Sequence, residues 1–98
     1  MINIRYDMHK TQTNNKAKIL IAENETLLTS FYEHILNTHG NYIVHVAHTA
    51  KLTVDKAKQL YPDILIMDLS LQRKLDGLDA VKKIREFCFA PIIYITGH

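Results

Sequence analysis

The sequence predicts an α/β protein of three layers, with a parallel β-sheet between two layers of helices. Two observations support this prediction. The first is a series of short apolar runs along the chain. The second is that, in the segments between these runs, apolar residues recur every three or four positions. These are the patterns of buried strands and of helices with one buried face. Strands that alternate with helices are joined by right-handed crossovers and pair in parallel, so we expect helices on both faces of the sheet.

The first two predicted strands flank the first helix. Residues 18–22 form an apolar run after Lys18, which predicts a strand buried on both faces. Helical spacing predicts a helix over Thr26–His39, and the glycine that follows at Gly40 is a common residue at a helix end. Residues 43–47 predict a second strand. His45 interrupts its apolar residues, which places this strand nearer to the edge of the sheet.

A second helix and a third strand follow. Thr49 is expected to cap a helix that runs to about Leu60 and ends before Pro62. The residues expected on the inward face of this helix are Leu52, Val54, Ala57 and Leu60. Residues 64–67 are continuously apolar and predict the third strand, which ends at Asp68.

The remaining elements are a third helix and a fourth strand. The turn signal Asp76-Gly77 precedes a helix whose buried face is predicted from its apolar spacing to contain Leu78, Val81, Ile84 and Phe87. Pro91 then introduces a fourth strand at residues 92–95.

Length and composition indicate one globular domain. Of the 98 residues, residues 1–16 are polar and predict a flexible leader, which leaves residues 17–98 as the domain. The net charge of +2 is too small to indicate a nucleic-acid or membrane-surface partner. No apolar run approaches a membrane span or the core of a signal peptide. Cys88 is the single cysteine, so no internal disulfide can form, and a cytoplasmic location is expected.

Polar residues follow three of the predicted strands, at the edge where ligands bind in open α/β sheets. Glu23 and Asn24 follow the first strand, Asp68 ends the third, and Thr96 follows the fourth. Clustered carboxylate and amide oxygens suit Mg²⁺, and a carboxylate can serve as a covalent nucleophile in phosphoryl transfer. Taken singly, an acidic residue after a strand more often caps the next helix; the ordered set favours a functional site.

Four segments carry a resemblance to one family. Residues 18–25 (KILIAENE), 61–68 (YPDILIMD), 75–78 (LDGL) and 91–96 (PIIYIT) are similar, in this order and at these separations, to segments of bacterial response-regulator receiver domains. The resemblance runs from Lys18 to the last residue. It implies a flavodoxin-like, doubly wound sheet with strand order 2-1-3-4, from which the family's fifth strand and last two helices are missing.

The resemblance also implies roles for individual residues. Asp68 would accept a phosphoryl group from a histidine kinase or phosphotransfer protein, and Thr96 would be the switch residue that contacts the phosphoryl group. Mg²⁺ would be bound by Glu23, Asn24, Asp68 and the main-chain carbonyl of Ser70. The chain would relay a signal by conformational change and would not be an enzyme.

Two departures from the family pattern affect these expectations. Asn24 stands where an aspartate usually contacts the metal, so weaker Mg²⁺ binding is expected. The sequence ends before the lysine and the aromatic switch residue of the fifth strand. Residues 92–95 would then form an apolar edge strand, which predicts self-association through that edge.

Other functions remain as alternatives. The first is a receiver-like interaction module that is not phosphorylated, which Asn24 suggests. An aspartyl-phosphate hydrolase would need an acid two residues after the nucleophile, where Ser70 stands. A flavodoxin-like cofactor binder would need glycine, serine or threonine after the first strand, where Glu23 begins an acidic segment. His45 and His48 are three residues apart, but a strand-to-loop segment does not favour a shared zinc site.

Overall fold

The computed structural model describes residues 16–69 and 76–95; residues 1–15 of the predicted leader, Ser70 and Thr96 lie outside these ranges. Strands and helices alternate along the chain. In order they are β1 (Ala17–Ala22), α1 (Thr26–His39), β2 (Tyr42–Ala47), α2 (Ala50–Leu60), β3 (Ile64–Asp68), α3 (Asp76–Ile84) and β4 (Ile92–Ile95). The predicted order of elements is therefore confirmed.

The four described strands form one parallel sheet with the order β2-β1-β3-β4. β1 pairs with β2 from Ala17↔Tyr42 to Ala22↔Ala47, and it pairs with β3 up to Ala22↔Met67. β3 pairs with β4 up to Asp68↔Ile95. The expected order 2-1-3-4 is confirmed. Its central strand β1 is buried from Ile19 onward, as the apolar run predicts.

The main core lies between the sheet and the helices α2 and α3. Leu20, Leu65 and Met67 contribute from the sheet and pack with Val54 and Ile84 from the two helices. The strand order reverses direction after β2, so right-handed crossovers place α1 on the opposite face from α2 and α3. Ile19 and Ile21 alternate with Leu20 along β1 and are buried on that opposite face. The result is a three-layer arrangement.

The ends of α2 follow local rules. The Thr49 hydroxyl accepts a hydrogen bond from the Leu52 main-chain N–H at 3.1 Å, which confirms the predicted cap. At the other end, Tyr61 adopts the left-handed conformation with φ 45°, and its N–H donates to the Ala57 carbonyl at 2.9 Å. This conformation costs a non-glycine residue free energy, but it turns the chain directly from α2 into β3.

The inward face of α2 differs from the prediction at one position. Leu52 is 45% exposed, whereas Thr53 is fully buried. The Thr53 hydroxyl donates to the Thr49 carbonyl at 2.7 Å, so its burial leaves no hydroxyl hydrogen without an acceptor. α3 shows the same shift, because Leu78 is exposed and Ala80 is buried. Phe87 lies in the turn after α3 and not on the helix itself.

Candidate phosphoacceptor site

Two carboxylates lie side by side at the carboxyl edge of the sheet. Glu23 directly follows Ala22, and Asp68 directly follows Met67, and Ala22 and Met67 are register partners on the neighbouring strands β1 and β3. Glu23 is fully buried and Asp68 is 2% exposed. Carboxylates are almost never buried to this extent without a specific role or partner, because desolvation disfavours their charged form. The sheet thus brings together two of the predicted site residues.

The main chain around Glu23 is held by several hydrogen bonds. Its N–H donates to the Ala47 carbonyl of β2 at 3.0 Å. Its carboxylate Oε1 accepts the Glu25 N–H at 3.2 Å, across the turn into α1. Its carbonyl oxygen lies 2.9 Å from Nδ1 of His48. Asn24 and Glu25 are exposed, so the amide of Asn24 is at the solvent side of the site.

The main chain at the end of β3 and at the start of α3 makes close contacts. The Leu69 N–H donates to the Ile95 carbonyl of β4 at 3.3 Å, and the Gly77 N–H donates to the Leu69 carbonyl at 3.1 Å. Gly77 lies so close that a Cβ there would stand 2.7 Å from the Asp68 carbonyl oxygen. Only glycine permits this approach, which brings the start of α3 against the end of β3.

A tyrosine on α1 experiences the field of these acids. Burial, together with the negative charges of Glu23, Asp68 and Glu25, raises the pKa of Tyr32 above its ordinary value. Tyr32 follows Glu25 by seven residues, which is two helical turns, and helical side chains lean toward the N-terminus of the helix. Tyr32 was not singled out in the sequence analysis. The seven-residue spacing is the signal that relates it to the acidic segment.

The raised pKa of Tyr32 predicts a loss of stability at alkaline pH. The folded protein holds the phenolic proton more tightly than the unfolded chain, so the contribution to stability is complete below about pH 10 and is lost as the pH rises through the folded pKa. The free energy of unfolding of the wild type should therefore fall relative to that of Tyr32→Phe above this pH. Urea titrations between pH 8 and 11 measure the difference. Tyr61→Phe, at the opposite edge of the sheet, is the control; equal pH dependence for both variants would contradict the prediction.

The side chains proposed as metal ligands at this edge all offer oxygen atoms. Over residues 16–69 and 76–95, no group of three or more His, Cys, Asp or Glu side chains could hold a metal ion. Glu23 and Asp68 provide two carboxylates, and Asn24 can add an amide oxygen. Hard oxygen donors of this number fit Mg²⁺, which usually keeps several waters and shares oxygens of a phosphate. The fourth predicted ligand, the Ser70 carbonyl, and the predicted switch Thr96 lie outside the described ranges.

Among the described helices, none is long and apolar enough to cross a membrane.

His48 belongs to the acidic site through its contact with the Glu23 carbonyl, a contact that the sequence did not predict. The orientation of this ring depends on how the end of β2 lies beside β1, so the spacing of His45 and His48 carried no signal for it.

Comparisons with known proteins give a consistent result. The chain matches the family described as "Response regulator receiver domain" over residues 19–98. It is 42% identical over 80 residues to the response regulator ArlR of Staphylococcus aureus, an alignment that covers 82% of this chain and 36% of ArlR. The chain therefore spans little more than a third of the length of this curated relative.

Solved structures of similar fold include two receiver segments of larger proteins. One is the N-terminal domain of a response regulator/sensory box/GGDEF 3-domain protein from Carboxydothermus hydrogenoformans, with a TM-score of 0.75, 33% identity, and coverage of 83% of this chain and 65% of that chain. The other is the signal receiver domain of a modulated diguanylate cyclase from Desulfovibrio desulfuricans G20, with a TM-score of 0.75, 30% identity, and coverage of 86% and 67%.

Proposed function

Because the chain belongs to the response regulator receiver domain family, we propose that it accepts a phosphoryl group on Asp68 as a step of two-component signalling. The supporting observation is the burial of Glu23 and Asp68 at adjacent strand ends of one sheet edge. The donor would be a histidine kinase or a phosphotransfer protein in the cytoplasm. In this reaction the chain is a phosphoacceptor that changes conformation, and not a turnover enzyme.

The transfer requires a nucleophile, and Asp68 would provide it. A carboxylate oxygen of Asp68 attacks the phosphorus of a phosphohistidine and forms an O–P bond as the P–N bond breaks. The electron pair of the broken bond goes to the histidine nitrogen, which takes up a proton. Glu23, Asn24 and the Ser70 carbonyl would bind Mg²⁺ together with Asp68, and the ion would neutralise charge on the phosphoryl oxygens. The Thr96 hydroxyl would donate to one of these oxygens.

A direct phosphorylation experiment tests this function. The chain is incubated with acetyl phosphate and Mg²⁺, and its intact mass is measured. We expect one added phosphoryl group that hydroxylamine removes, as an acyl phosphate should behave. A folded chain that takes up no phosphoryl group, and that forms no beryllofluoride adduct with Mg²⁺, would instead support the alternative of a receiver-like interaction module.

Replacement of Asn24 by aspartate should strengthen Mg²⁺ binding. Asn24→Asp adds a charged hard ligand at the solvent side of the site, and attraction between opposite charges near a protein surface is worth a few kcal/mol. After the cost of additional repulsion from Glu23 and Asp68, we expect affinity to rise about tenfold, which corresponds to about 1.4 kcal/mol. The same repulsion should lower the stability of the metal-free protein.

Calorimetric titration with MgCl₂ measures the effect of Asn24→Asp. The matched control is Asn41→Asp, which adds the same charge at an exposed position before β2, at the opposite edge of the sheet. Affinity in Asn24→Asp that is equal to or weaker than that of the wild type would count against Asn24 as a ligand. An equal gain in Asn41→Asp would assign the effect to net charge alone.

The edge strand β4 suggests a second copy of the chain as a further partner. β4 is the outermost described strand on its side of the sheet, and its residues Ile93 and Tyr94 are 55% and 48% exposed. Edge strands with apolar side chains recruit other strands. The chain should therefore self-associate at micromolar concentration, and Ile93→Lys should weaken the association. Ile43→Lys on the other edge strand β2 is the control.

Sedimentation velocity over a concentration series measures this association, with the intact mass determined on the same sample. A cooperative, folded monomer at every concentration would show that β4 does not recruit a partner. Equal dissociation by the two lysine variants would place the contact elsewhere.

A further inference from the structure

The end of β2 and the residue after it contact both the main-chain N–H and the main-chain carbonyl of Glu23. The Glu23 N–H donates to the Ala47 carbonyl at 3.0 Å, and the Glu23 carbonyl lies 2.9 Å from Nδ1 of His48, the first residue after β2. These contacts join β2 to the first residue beyond β1, at the point where the regular pairing of the two strands ends at Ala22↔Ala47. His48 thereby extends the restraint of the sheet by one residue with its side chain.

The chemistry of this contact fixes which tautomer His48 adopts. A carbonyl oxygen only accepts hydrogen bonds, so Nδ1 of the imidazole must carry the hydrogen and donate it. His48 is exposed, so packing of its side chain into the core does not account for the contact. Its hydrogen bond holds the peptide unit between Glu23 and Asn24, which restrains the main-chain dihedral angles on either side of that unit.

The side chain that depends on this restraint is fully buried. The Glu23 carboxylate accepts a hydrogen bond from the Glu25 N–H at 3.2 Å, within the turn that links β1 to α1. Rotation of the peptide after Glu23 would change this turn and would move the carboxylate relative to Asp68. Groups that orient a metal ligand in this way commonly affect metal affinity by about 10–100-fold when they are removed.

We propose that His48 is a positioning residue for the acidic site. It donates its Nδ1 hydrogen to the Glu23 carbonyl, keeps the Glu23 carboxylate beside Asp68, and thereby sets the affinity of the site for Mg²⁺. This inference rests on the proposed function in one respect, namely that the site binds Mg²⁺. Its geometric part, the donated hydrogen bond, can be tested in the metal-free protein.

Three substitutions at position 48 separate this role from a general structural one. In His48→Asn the amide nitrogen occupies the place of Nδ1 and can still donate to the Glu23 carbonyl. In His48→Gln the amide lies one bond farther from the main chain, and His48→Ala has no donor. With the full chain and MgCl₂ in one buffer at one pH, calorimetric titration should show affinity about tenfold weaker in the Gln and Ala variants. The Asn variant should stay within about twofold of the wild type.

Thermal unfolding of the same four proteins is the accompanying measurement. The positioning role predicts that Mg²⁺ affinity follows the presence of a donor at the Nδ1 place, whatever the order of the unfolding midpoints. Equal Mg²⁺ affinity in all four proteins overturns the inference. An affinity that follows the unfolding midpoints, with the Asn variant as weak as the Ala variant, also overturns it, because the side chain would then act on stability alone.

A spectroscopic measurement distinguishes failure of this inference from failure of the proposed function. Long-range ¹H–¹⁵N correlation spectra of the metal-free protein report the tautomer of each histidine, and His48→Gln identifies the signal of His48. Hydrogen on Nδ1 supports the contact even where the wild type binds no Mg²⁺, a result that would count against the proposed function. Hydrogen on Nε2 alone overturns the inference even where the wild type binds Mg²⁺ and is phosphorylated.

Discussion

Asp68→Asn should abolish the acyl phosphate and leave the fold intact. An amide has no negatively charged oxygen to attack phosphorus, so the nucleophile proposed for the transfer is lost. The side chain keeps its shape, and Asp68 is only 2% exposed, so packing around it should not change. A neutral group also removes a buried charge next to Glu23. We therefore expect an unfolding midpoint no lower than that of the wild type.

The experiment compares the wild type with Asp68→Asn and Asp79→Asn after treatment with acetyl phosphate and Mg²⁺. Asp79→Asn is the matched control, because Asp79 is exposed on α3 and is not part of the site. Intact mass should show one phosphoryl group on the wild type and on Asp79→Asn, and none on Asp68→Asn. If Asp68→Asn is labelled as fully as the wild type, the acceptor is another carboxylate, and peptide mapping of the adduct identifies it.

The adjacency of Glu23 and Asp68 could be predicted from the sequence because it depends on strand order and strand ends. The apolar runs before each residue mark where β1 and β3 end, and the alternation of strands and helices places both ends at one edge of a parallel sheet. Both signals are local in the sequence. For the same reason the bounds of α1 and the Thr49 cap were predicted correctly.

Features that depend on how elements pack could not be predicted in this way. Leu52 was expected to face inward, but the rotation of α2 on the sheet buries Thr53 instead. Turning the buried face of α2 by one residue changes the pattern of its apolar side chains only slightly. The buried Thr53 hydroxyl donates to the Thr49 carbonyl at the start of the same helix. The hydrogen bond of His48 to Glu23 and the effect of the acidic residues on the pKa of Tyr32 are of the same kind. They depend on the placement of β2 and α1 beside β1, which no single segment encodes.

Gly77 shows how packing beyond the two carboxylates should control the site. A Cβ at this position would lie 2.6 Å from the Leu69 Cα and 2.7 Å from the carbonyl oxygens of Asp68 and Leu69. All three contacts are with main-chain atoms, which cannot rotate away as a side chain can. Either the start of α3 or the end of β3 must move, and the hydrogen bond from the Gly77 N–H to the Leu69 carbonyl, at 3.1 Å, must lengthen.

Gly77→Ala is therefore expected to reduce both stability and phosphorylation. Overpacking of a buried position typically costs about 1–3 kcal/mol in the free energy of unfolding. Displacement of the Asp68 main chain should also misplace its carboxylate, and misplacement by about 1 Å can slow a reaction on the order of 100-fold. Urea titration measures the first effect, and the rate of labelling by acetyl phosphate with Mg²⁺ measures the second, under conditions in which the variant is folded.

Gly40→Ala is the control for the loss of a glycine at Gly77. A Cβ at Gly40 would meet the ring of Tyr42, a side chain that can turn aside, and Gly40 has an extended main chain that any residue adopts. Its labelling rate should equal that of the wild type. A Gly77→Ala protein that is folded, as stable as the wild type and labelled at the same rate would show that the approach of α3 to β3 does not position Asp68. A slower rate in folded Gly77→Ala, with an unchanged rate in Gly40→Ala, would show that this main-chain contact sets the geometry of the phosphoacceptor.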